Sequence, residues 1–442
     1  MKKGTGRTGA ARLILAAITA GLVSAPFGLV KAQGTAPGTD PQKGNASLKG
    51  EISVFNWNEA SYASVLPAFN KLYPNVKVNL VTVGYADAYP RITASLAGNV
   101  PLADVIMIES ERVESYGTRF PNAFTDLSAL GDKYERKFDR SKWTQSVVKG
   151  KLISMPTDAG PVGMWYRSDL FQKAGVDAAS VQTWSDFLAA GRKVVAANPG
   201  VKMAGIDATG SETLLRILVQ EQGGFYIDAD GKITVNSARM QRALGIVKSA
   251  WDAGILLNVQ GTDGLIGSIK ANRVAAVNLP VWMIGIFKGY VPEQQGKWGV
   301  VQIPAFSVGG SHSAYVGGST LAIPTNSPNK GAAWAFVEWY TTYGSRAVLE
   351  KRGTWPSFLP SLQAPVLNAP DPFFATPNVF APFRKTAFLS RPLRYSSDYD
   401  KAVAVVIAAQ ASVLTGGVGI RAALDKAAND LKNQTGREIA GP

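Results

Sequence analysis

The feature that most narrows what this chain can fold into is an alternation of strand-like and helix-like segments beginning near residue 50. Ile52, Val54 and Phe55 form a short apolar run that stops at Asn56-Trp57-Asn58. Apolar residues at helical spacing then extend from Ala60 to Leu72, ahead of Pro74. Val76-Lys77-Val78-Asn79-Leu80 reads as the next strand, residues 88–97 as a helix, and Asp104-Val105-Ile106-Met107-Ile108 as a strand buried on both faces. Strand, helix, strand, helix, strand predicts a mostly parallel sheet covered by helices on both sides. Pro67, inside the first helix, predicts a kink there. The second half of the chain repeats the rhythm. Thr183 with Asp186 forms a capping box opening the helix of Phe187, Leu188 and Val194. Leu244, Val247 and Trp251 share one helical face. Ser327-Pro328 reads as an N-cap followed by proline at the first helical position, introducing Trp334, Phe336 and Trp339. Aromatic residues at that spacing are expected in a core.

The N-terminus predicts the compartment. Lys2, Lys3, Arg7 and Arg12 precede an apolar run from Leu13 to Val23, which leads to Val23-Ser24-Ala25 and Val30-Lys31-Ala32. A basic start, a short apolar middle and a small-residue stop are the parts of a secretory signal peptide, expected over residues 1–32 with a cut after 25 as the alternative. The run is too short for the ~20 apolar residues that span hydrocarbon. Residues 33–47 are rich in Gly, Pro and Thr and read as a flexible linker. With Cys 0 there is no disulfide, no thiolate nucleophile and no cysteine after the signal to carry a lipid, so a soluble, unanchored periplasmic protein is expected. The formal charge of +14 includes five basic and no acidic residues before Gln33, leaving +9 on about 410 residues. The basic residues are scattered, which argues against nucleic acid. That length exceeds the roughly 250–300 residues at which one core stops growing, so two lobes are expected.

The chemistry available is narrow. His312 is the one histidine. A metal site built on several histidines is impossible, and no Gly-x-Ser-x-Gly elbow accompanies His312. No phosphate loop or dinucleotide fingerprint is present. Paired carboxylates remain, with Glu109 and Asp158 as a possible hydrolytic pair. The same acids suit binding. Trp57, Glu109 and Asp158 each follow a strand-like or Pro-punctuated segment, and ligands of open α/β sheets collect at the carboxyl ends of strands. Indole faces pack on the C–H faces of sugars, and carboxylates accept from their hydroxyls.

Resemblance carries the reading further. Met155-Pro156-Thr157-Asp158-Ala159-Gly160, running on through Trp165-Tyr166-Arg167-Ser168-Asp169-Leu170, resembles the crossover segment of family 1 extracellular solute-binding proteins of ABC importers. Thr183-Trp184-Ser185-Asp186-Phe187 is similar to the motif that follows it there. Val316-Gly317-Gly318-Ser319-Thr320-Leu321, continuing to Ala333-Trp334-Ala335-Phe336, resembles the return segment. Leu414-Thr415-Gly416 with Ala422-Ala423-Leu424-Asp425 resembles the C-terminal helix pair. Tyr116-Gly117-Thr118-Arg119-Phe120-Pro121, on to Asp126-Leu127, is similar to a subgroup with lactose- and arabino-oligosaccharide-binding members.

The resemblance implies a two-lobed α/β periplasmic-binding-protein fold of type II-like topology, with a hinged cleft. Lobe one is expected over 48–158 plus 317–365, and lobe two over 159–316 plus 366–442. Trp57 with Asn58, in the loop after the first strand, would flank the sugar. Glu109 and Asp158 would accept from hydroxyls, Tyr166 would contact the sugar, and Trp282 would be the stacking platform. Arg167 departs from the family's usual asparagine, and Leu279 from the glycine ahead of that tryptophan. Gly317, Gly318 and Ser319 would bring backbone donors close, and Trp355 is a further candidate. The implied function is capture of a di- or oligosaccharide by hinge closure and delivery to transmembrane permease subunits. No catalysis, cofactor, metal or nucleic acid is expected, and the protein is expected to be monomeric. A polyamine or an anionic sugar on the same fold is one alternative; a secreted glycoside hydrolase is another.

Overall fold

The computed structural model describes Met1, residues 40–389 and residues 393–441. The expected signal segment beyond Met1, and residues 33–39 of the expected linker, lie outside the described residues. The first sheet is built from β1 (Gly50–Asn56), β2 (Val76–Thr82) and β3 (Val105–Glu109). A small hairpin, β4 (Val147–Val148) and β5 (Lys151–Leu152), precedes β6 (Met155–Pro156). The second sheet contains β7 (Val162–Arg167), β8 (Lys202–Ile206), β9 (Leu256–Asn258), β10 (Val274–Pro280) and β11 (Trp298–Gln302). The chain then returns to the first sheet as β12 (Ser319–Ala322). The orders are β2-β1-β3-β12-β6 and β11-β7-β10-β8-β9.

Consecutive strand–helix–strand units pair in parallel, as the alternation predicts: β1 with β2 and β3, and β8 with β9 and β10. The strands added where the chain changes sheet pair antiparallel: β12 with β3 and β6, and β7 with β10 and β11. Both sheets are buried on both faces. Ile52, Val54, Val105 and Met107 enter one core of the first sheet, while Phe55, Ile106 and Ile108 enter the other. In the second sheet Met164 points to one core and Trp165 to the other, where Trp165 meets Phe287 and Phe383 at ring-centroid separations of 5.2 Å. This two-sided burial is why the strands read as near-continuous apolar runs.

The helices follow their sequence signals with one correction. The capping box is present: Thr183 Oγ1 accepts from the Asp186 N–H at 3.2 Å, and Asp186 Oδ2 from the Thr183 N–H at 2.8 Å. Trp334, Phe336 and Trp339 are core residues of the first sheet. Their helix begins later than Ser327-Pro328 predicts, at Lys330, with Asn329 at the cap position. The Ser327 hydroxyl instead donates to Asp104 Oδ1 at 2.7 Å and accepts from the Asn329 N–H at 3.3 Å. The Ser327 side chain thus caps the turn that precedes the helix and ties it to the carboxylate beside β3.

Three passages of chain join the sheets, and they lie side by side. The first is 157–161 and the second 314–319. In the third, Ser357 bonds Thr157 while Trp355 enters the second sheet's core. Backbone bonds tie them together: Thr157 N–H to Ser319 O (2.8 Å), Ala159 N–H to Trp355 O (2.9 Å), Val316 N–H to Gly160 O (3.0 Å) and Ser357 N–H to Thr157 O (3.1 Å). A Cβ at Gly160 would sit 1.9 Å from the Val316 carbonyl oxygen, so only glycine lets these two passages approach. Gly160→Ala is therefore expected to lower stability by about 1–3 kcal/mol, the usual cost of forcing a methyl into a packed site. Urea unfolding checks this, and a variant as stable as the parent would show that the passages part without cost.

Candidate functional site

The carboxyl ends of β1 and β3 present the first group of side chains. Trp57 follows β1, half-buried, with its ring 5.7 Å from both Tyr85 and Tyr89. Those tyrosines lie one turn apart in the helix Tyr85–Gly98, which begins three residues after β2 ends. Both aim their hydroxyls at the last residue of β3: Glu109 Oε2 accepts from Tyr85 at 2.9 Å and from Tyr89 at 2.6 Å. The Glu109 side chain is only 15 % exposed. Burial and the neighbouring Glu111 charge push its carboxyl up from the usual range, against the pull of Arg112 and the two tyrosines. The Arg112 guanidinium lies 4.0 Å over the Tyr89 ring.

The second group sits at the passages. Asp158 Oδ1 accepts from the Thr157 hydroxyl at 2.6 Å and from the Ser319 N–H at 2.9 Å. Ser319 stands opposite Glu109 in the β12–β3 ladder, and the Ser110 N–H donates to the Gly318 carbonyl at 2.8 Å, so the two groups are continuous. Gly318, at φ 96°, leaves room that a Cβ would deny: it would fall 2.6 Å from the Asp158 carbonyl and 2.7 Å from Lys142 Nζ. Lys142 is itself buried and donates to the Gly317 carbonyl at 2.8 Å and to Gln145 at 3.1 Å. Burial raises the Asp158 carboxyl pKa and lowers that of the Lys142 ammonium.

Elements of the second sheet face these groups. Arg216, in the helix Thr213–Glu221, donates to Glu111 Oε1 at 2.8 Å and to the Tyr399 hydroxyl at 2.7 Å. Arg112 pairs with Asp400, at the start of the helix Tyr399–Leu414. Four polar atoms here are buried without a hydrogen-bond partner: Ser110 Oγ, Glu111 Oε2, Arg112 Nε and Arg216 Nε.

The remaining candidates divide. Trp282 is half-buried at the cap of the helix Met283–Tyr290, on the second-sheet side of the passages, where the Val281 N–H donates to Pro161 O at 3.1 Å. Asn58 is exposed, with its N–H held by Asn56 Oδ1 at 2.9 Å. Gly317 lies beside Gly318 at φ 74°, with open space where a Cβ would stand. Trp355 is only 4 % exposed and packs in the second sheet's core. Tyr166 lies away from the passages, four residues along β7 from Val162, with its ring against Gly299 and 5.2 Å from Phe171. The structure does not bring Tyr166 or the Trp355 indole to the group at Glu109. Sequence reasoning missed Tyr85, Tyr89, Glu111 and Arg112. All four stand just beyond a parallel strand's carboxyl end, so the rule that found Trp57 and Glu109 also reaches them.

The family model for bacterial extracellular solute-binding proteins matches residues 56–347 of this chain. The chain belongs to that family. Among its relatives is an arabinooligosaccharide-binding protein of Bacillus subtilis, 28% identical over 306 residues that cover 66% of this chain and 70% of the relative. A lactose-binding protein of Rhizobium radiobacter is 27% identical over 354 residues, covering 76% of this chain and 82% of the relative. A binding protein from B. animalis subsp. lactis Bl-04, solved in complex with β-1,6-galactobiose, superposes with a TM-score of 0.76 at 22% identity, over 89% of this chain and 100% of the other. The GacH receptor of Streptomyces glaucescens gives 0.76 at 19% identity, over 88% and 100%. The two-lobed solute-binding fold is thereby established, with one sheet in each lobe. Among the described residues no helix is long and apolar enough to cross a membrane, and no cluster of three or more acidic or histidine side chains is set to hold a metal ion.

One strongly perturbed acid of this solute-binding protein has a structural task. Glu221 accepts from the Trp184 indole N–H at 2.7 Å and from the Phe306 N–H at 2.8 Å, which pins the chain leading from β11 onto the helix of Trp184. Burial pushes its carboxyl up to about 8. A raised folded-state pKa means the native state holds its proton longer than the unfolded chain does. Stability is then fully present below the unfolded value near 4.5 and declines as pH rises to about 8. The decline attributable to Glu221 is at most about 5 kcal/mol, at 1.36 kcal/mol per pH unit. Urea unfolding at pH 5, 6.5 and 8 is expected to show the fall, and Glu221→Gln, which has no proton to lose, is expected to flatten it. Equal slopes would assign the pH dependence elsewhere.

Proposed function

We propose that this protein captures a neutral di- or oligosaccharide between its lobes and delivers it to the transmembrane subunits of an ABC importer, without catalysis. The observation that carries this reading is the cluster at the carboxyl ends of β1 and β3. Trp57, Tyr85 and Tyr89 offer aromatic faces beside the carboxylate oxygen atoms of Glu109. Sugar rings present apolar C–H faces to such rings and hydroxyls to such atoms. Each charge here already faces an opposite one, Arg112 with Glu109 and Asp400 and Arg216 with Glu111 and Glu212, so the cluster offers no uncompensated charge to a polyamine or a uronate. The names of the relatives agree with a sugar.

In this reading Trp57 and Glu109 touch the ligand from lobe one, Trp282 from lobe two, and Asn58 lies at the rim. Asp158, Gly317, Gly318 and Ser319 serve mainly to shape the hinge. The lobes divide at the three passages, with residues 48 to about 158 and 317 onward, through the third passage, in lobe one. The protein works as a periplasmic monomer, free of nucleic acid, and makes or breaks no bond.

Calorimetry with arabino-oligosaccharides, lactose, oligogalacturonate and spermidine tests this. A neutral sugar is expected to bind and to be recovered without new reducing ends, while the uronate and the polyamine give no heat. Trp57→Ala removes an aromatic face that meets ~60–100 Å² of sugar, about 1.5–2.5 kcal/mol, and is expected to weaken binding roughly 10- to 70-fold. Unchanged affinity in that variant, or tighter binding of spermidine than of any sugar, would overturn the assignment.

A further inference from the structure

Away from the passages, where Leu349 and Trp355 share a core with Ile284 and Phe287, the two lobes meet through charges. Glu111 of lobe one and Arg216 of lobe two, 105 residues apart in sequence, form an ion pair whose side chains are 4% and 9% exposed. Arg112 of lobe one pairs with Asp400 of lobe two, and Ser115 adds a hydroxyl donor to the same carboxylate at 3.4 Å. The pairs brace one another. Arg216 also donates to Tyr399, the neighbour of Asp400, and Glu212 stands 3.3 Å from its Nε. The Arg112 guanidinium lies between Tyr89 of its own lobe, 4.0 Å from the ring centre, and Tyr399 of the other, at 6.0 Å.

We infer that Glu111–Arg216 and Arg112–Asp400 form a latch that holds the lobes together, making Arg216 and Arg112 positioning residues that set how strongly closure depends on a ligand. Removing charges from water offsets most of what their mutual attraction contributes. When the lobes separate, both ends of each pair regain water, so opening leaves no charge stranded. The latch is also incomplete, since Glu111 Oε2, Arg112 Nε and Arg216 Nε have no hydrogen-bond partner. A latch of this kind favours closure without locking it. It is also sensitive to salt, because an opened cleft lets counter-ions reach charges that closure keeps from them.

The inference rests on the lobes closing about the passages, as proposed above, but its test needs no sugar. The chain has no cysteine, so Lys71→Cys in lobe one and Lys426→Cys in lobe two give one label on each, and spin-label distances report the opening. In the ligand-free full-length protein the parent is expected to populate a short separation, and a longer one is expected to grow as KCl is raised from 0.05 to 1 M. Arg216→Met is expected to shift the closed-to-open ratio at least about tenfold toward open. The exchanged pair Glu111→Arg with Arg216→Glu is expected to recover much of the short distance, which a merely structural arginine would not do. If Arg216→Met fails to fold, Glu111→Gln, which keeps the shape, carries the same test. A distance distribution that ignores salt, either single variant and the exchange would overturn the latch. A latch that behaves as expected in a protein that binds no sugar would overturn the proposed ligand and leave the latch standing.

Discussion

Everything in this molecule that bears on binding depends on the backbone bonds that lash three passages of chain together between the sheets. A buried N–H without a partner is costly, and a chain leaving one sheet for another would leave several. Here each passage supplies the partners of the next: Thr157 bonds Ser319, Ala159 bonds Trp355, and Val316 bonds Gly160. A hinge built this way can bend with its hydrogen bonds intact. The glycines follow from the same constraint, since at Gly160 and Gly318 the carbonyl of a neighbouring passage, Val316 and Asp158 respectively, crowds the place of a Cβ. Asp158 and the buried Lys142 then fix the turn from the side, one through the Ser319 N–H and the other through the Gly317 carbonyl.

With the passages fixed, the carboxyl ends of β1 and β3 face the helices of the second lobe, and the contrast between core and cleft becomes chemical. Beside the passages Leu349 and Trp355 share a core with Ile284 and Phe287, but across the cleft the buried contacts are ion pairs among Glu111, Arg112, Arg216 and Asp400. Separating two apolar faces would expose hydrophobic surface to water, whereas separating these charges rehydrates them. Polar contact between lobes is thus what lets two stable halves move. Glu109 belongs to the same economy of charge: its tyrosine donors keep a buried carboxylate tolerable within reach of Arg112.

Much of the fold was legible because it is written in periodicity. Ile52 to Ile108 announces parallel strands and covering helices, and Thr183 with Asp186 announces a helix start that the structure reproduces. Ser327 still accepts a backbone N–H, from Asn329, but in a turn ahead of the helix, and its bond to Asp104, 223 residues away in sequence, ties that turn to β3. The candidate group at the strand ends was half legible, because position after a strand is a local signal and tertiary partners are not. Position after a strand points to Trp57 and Glu109, and a wider use of that rule reaches Tyr85, Tyr89 and Arg112. No local pattern separates Tyr166, which packs on Gly299 across the β7–β11 ladder, from a tyrosine turned toward a ligand. Arg216 was not visible at all. A basic residue in an otherwise amphipathic helix reads as surface, and its burial depends on Glu111 and Tyr399, both brought in by tertiary structure.

Affinity in such a protein has two parts that the geometry keeps in different places. Stacking and hydroxyl bonding reside in side chains that would touch a sugar, chiefly the aromatic group around Glu109. Closure resides partly in charges that pair with each other. A ligand shifts the lobes only by the difference in its affinity for their closed and open arrangements, and observed affinity scales with the fraction of closed molecules. A charge pair that already favours closure raises that fraction and tightens every ligand alike. A contact made only to sugar discriminates among sugars. Changes at Arg216 therefore move affinity without redefining which sugar is preferred, while changes at Trp57 and its neighbouring tyrosines act on preference itself, so strength and selectivity can be altered independently on one fold.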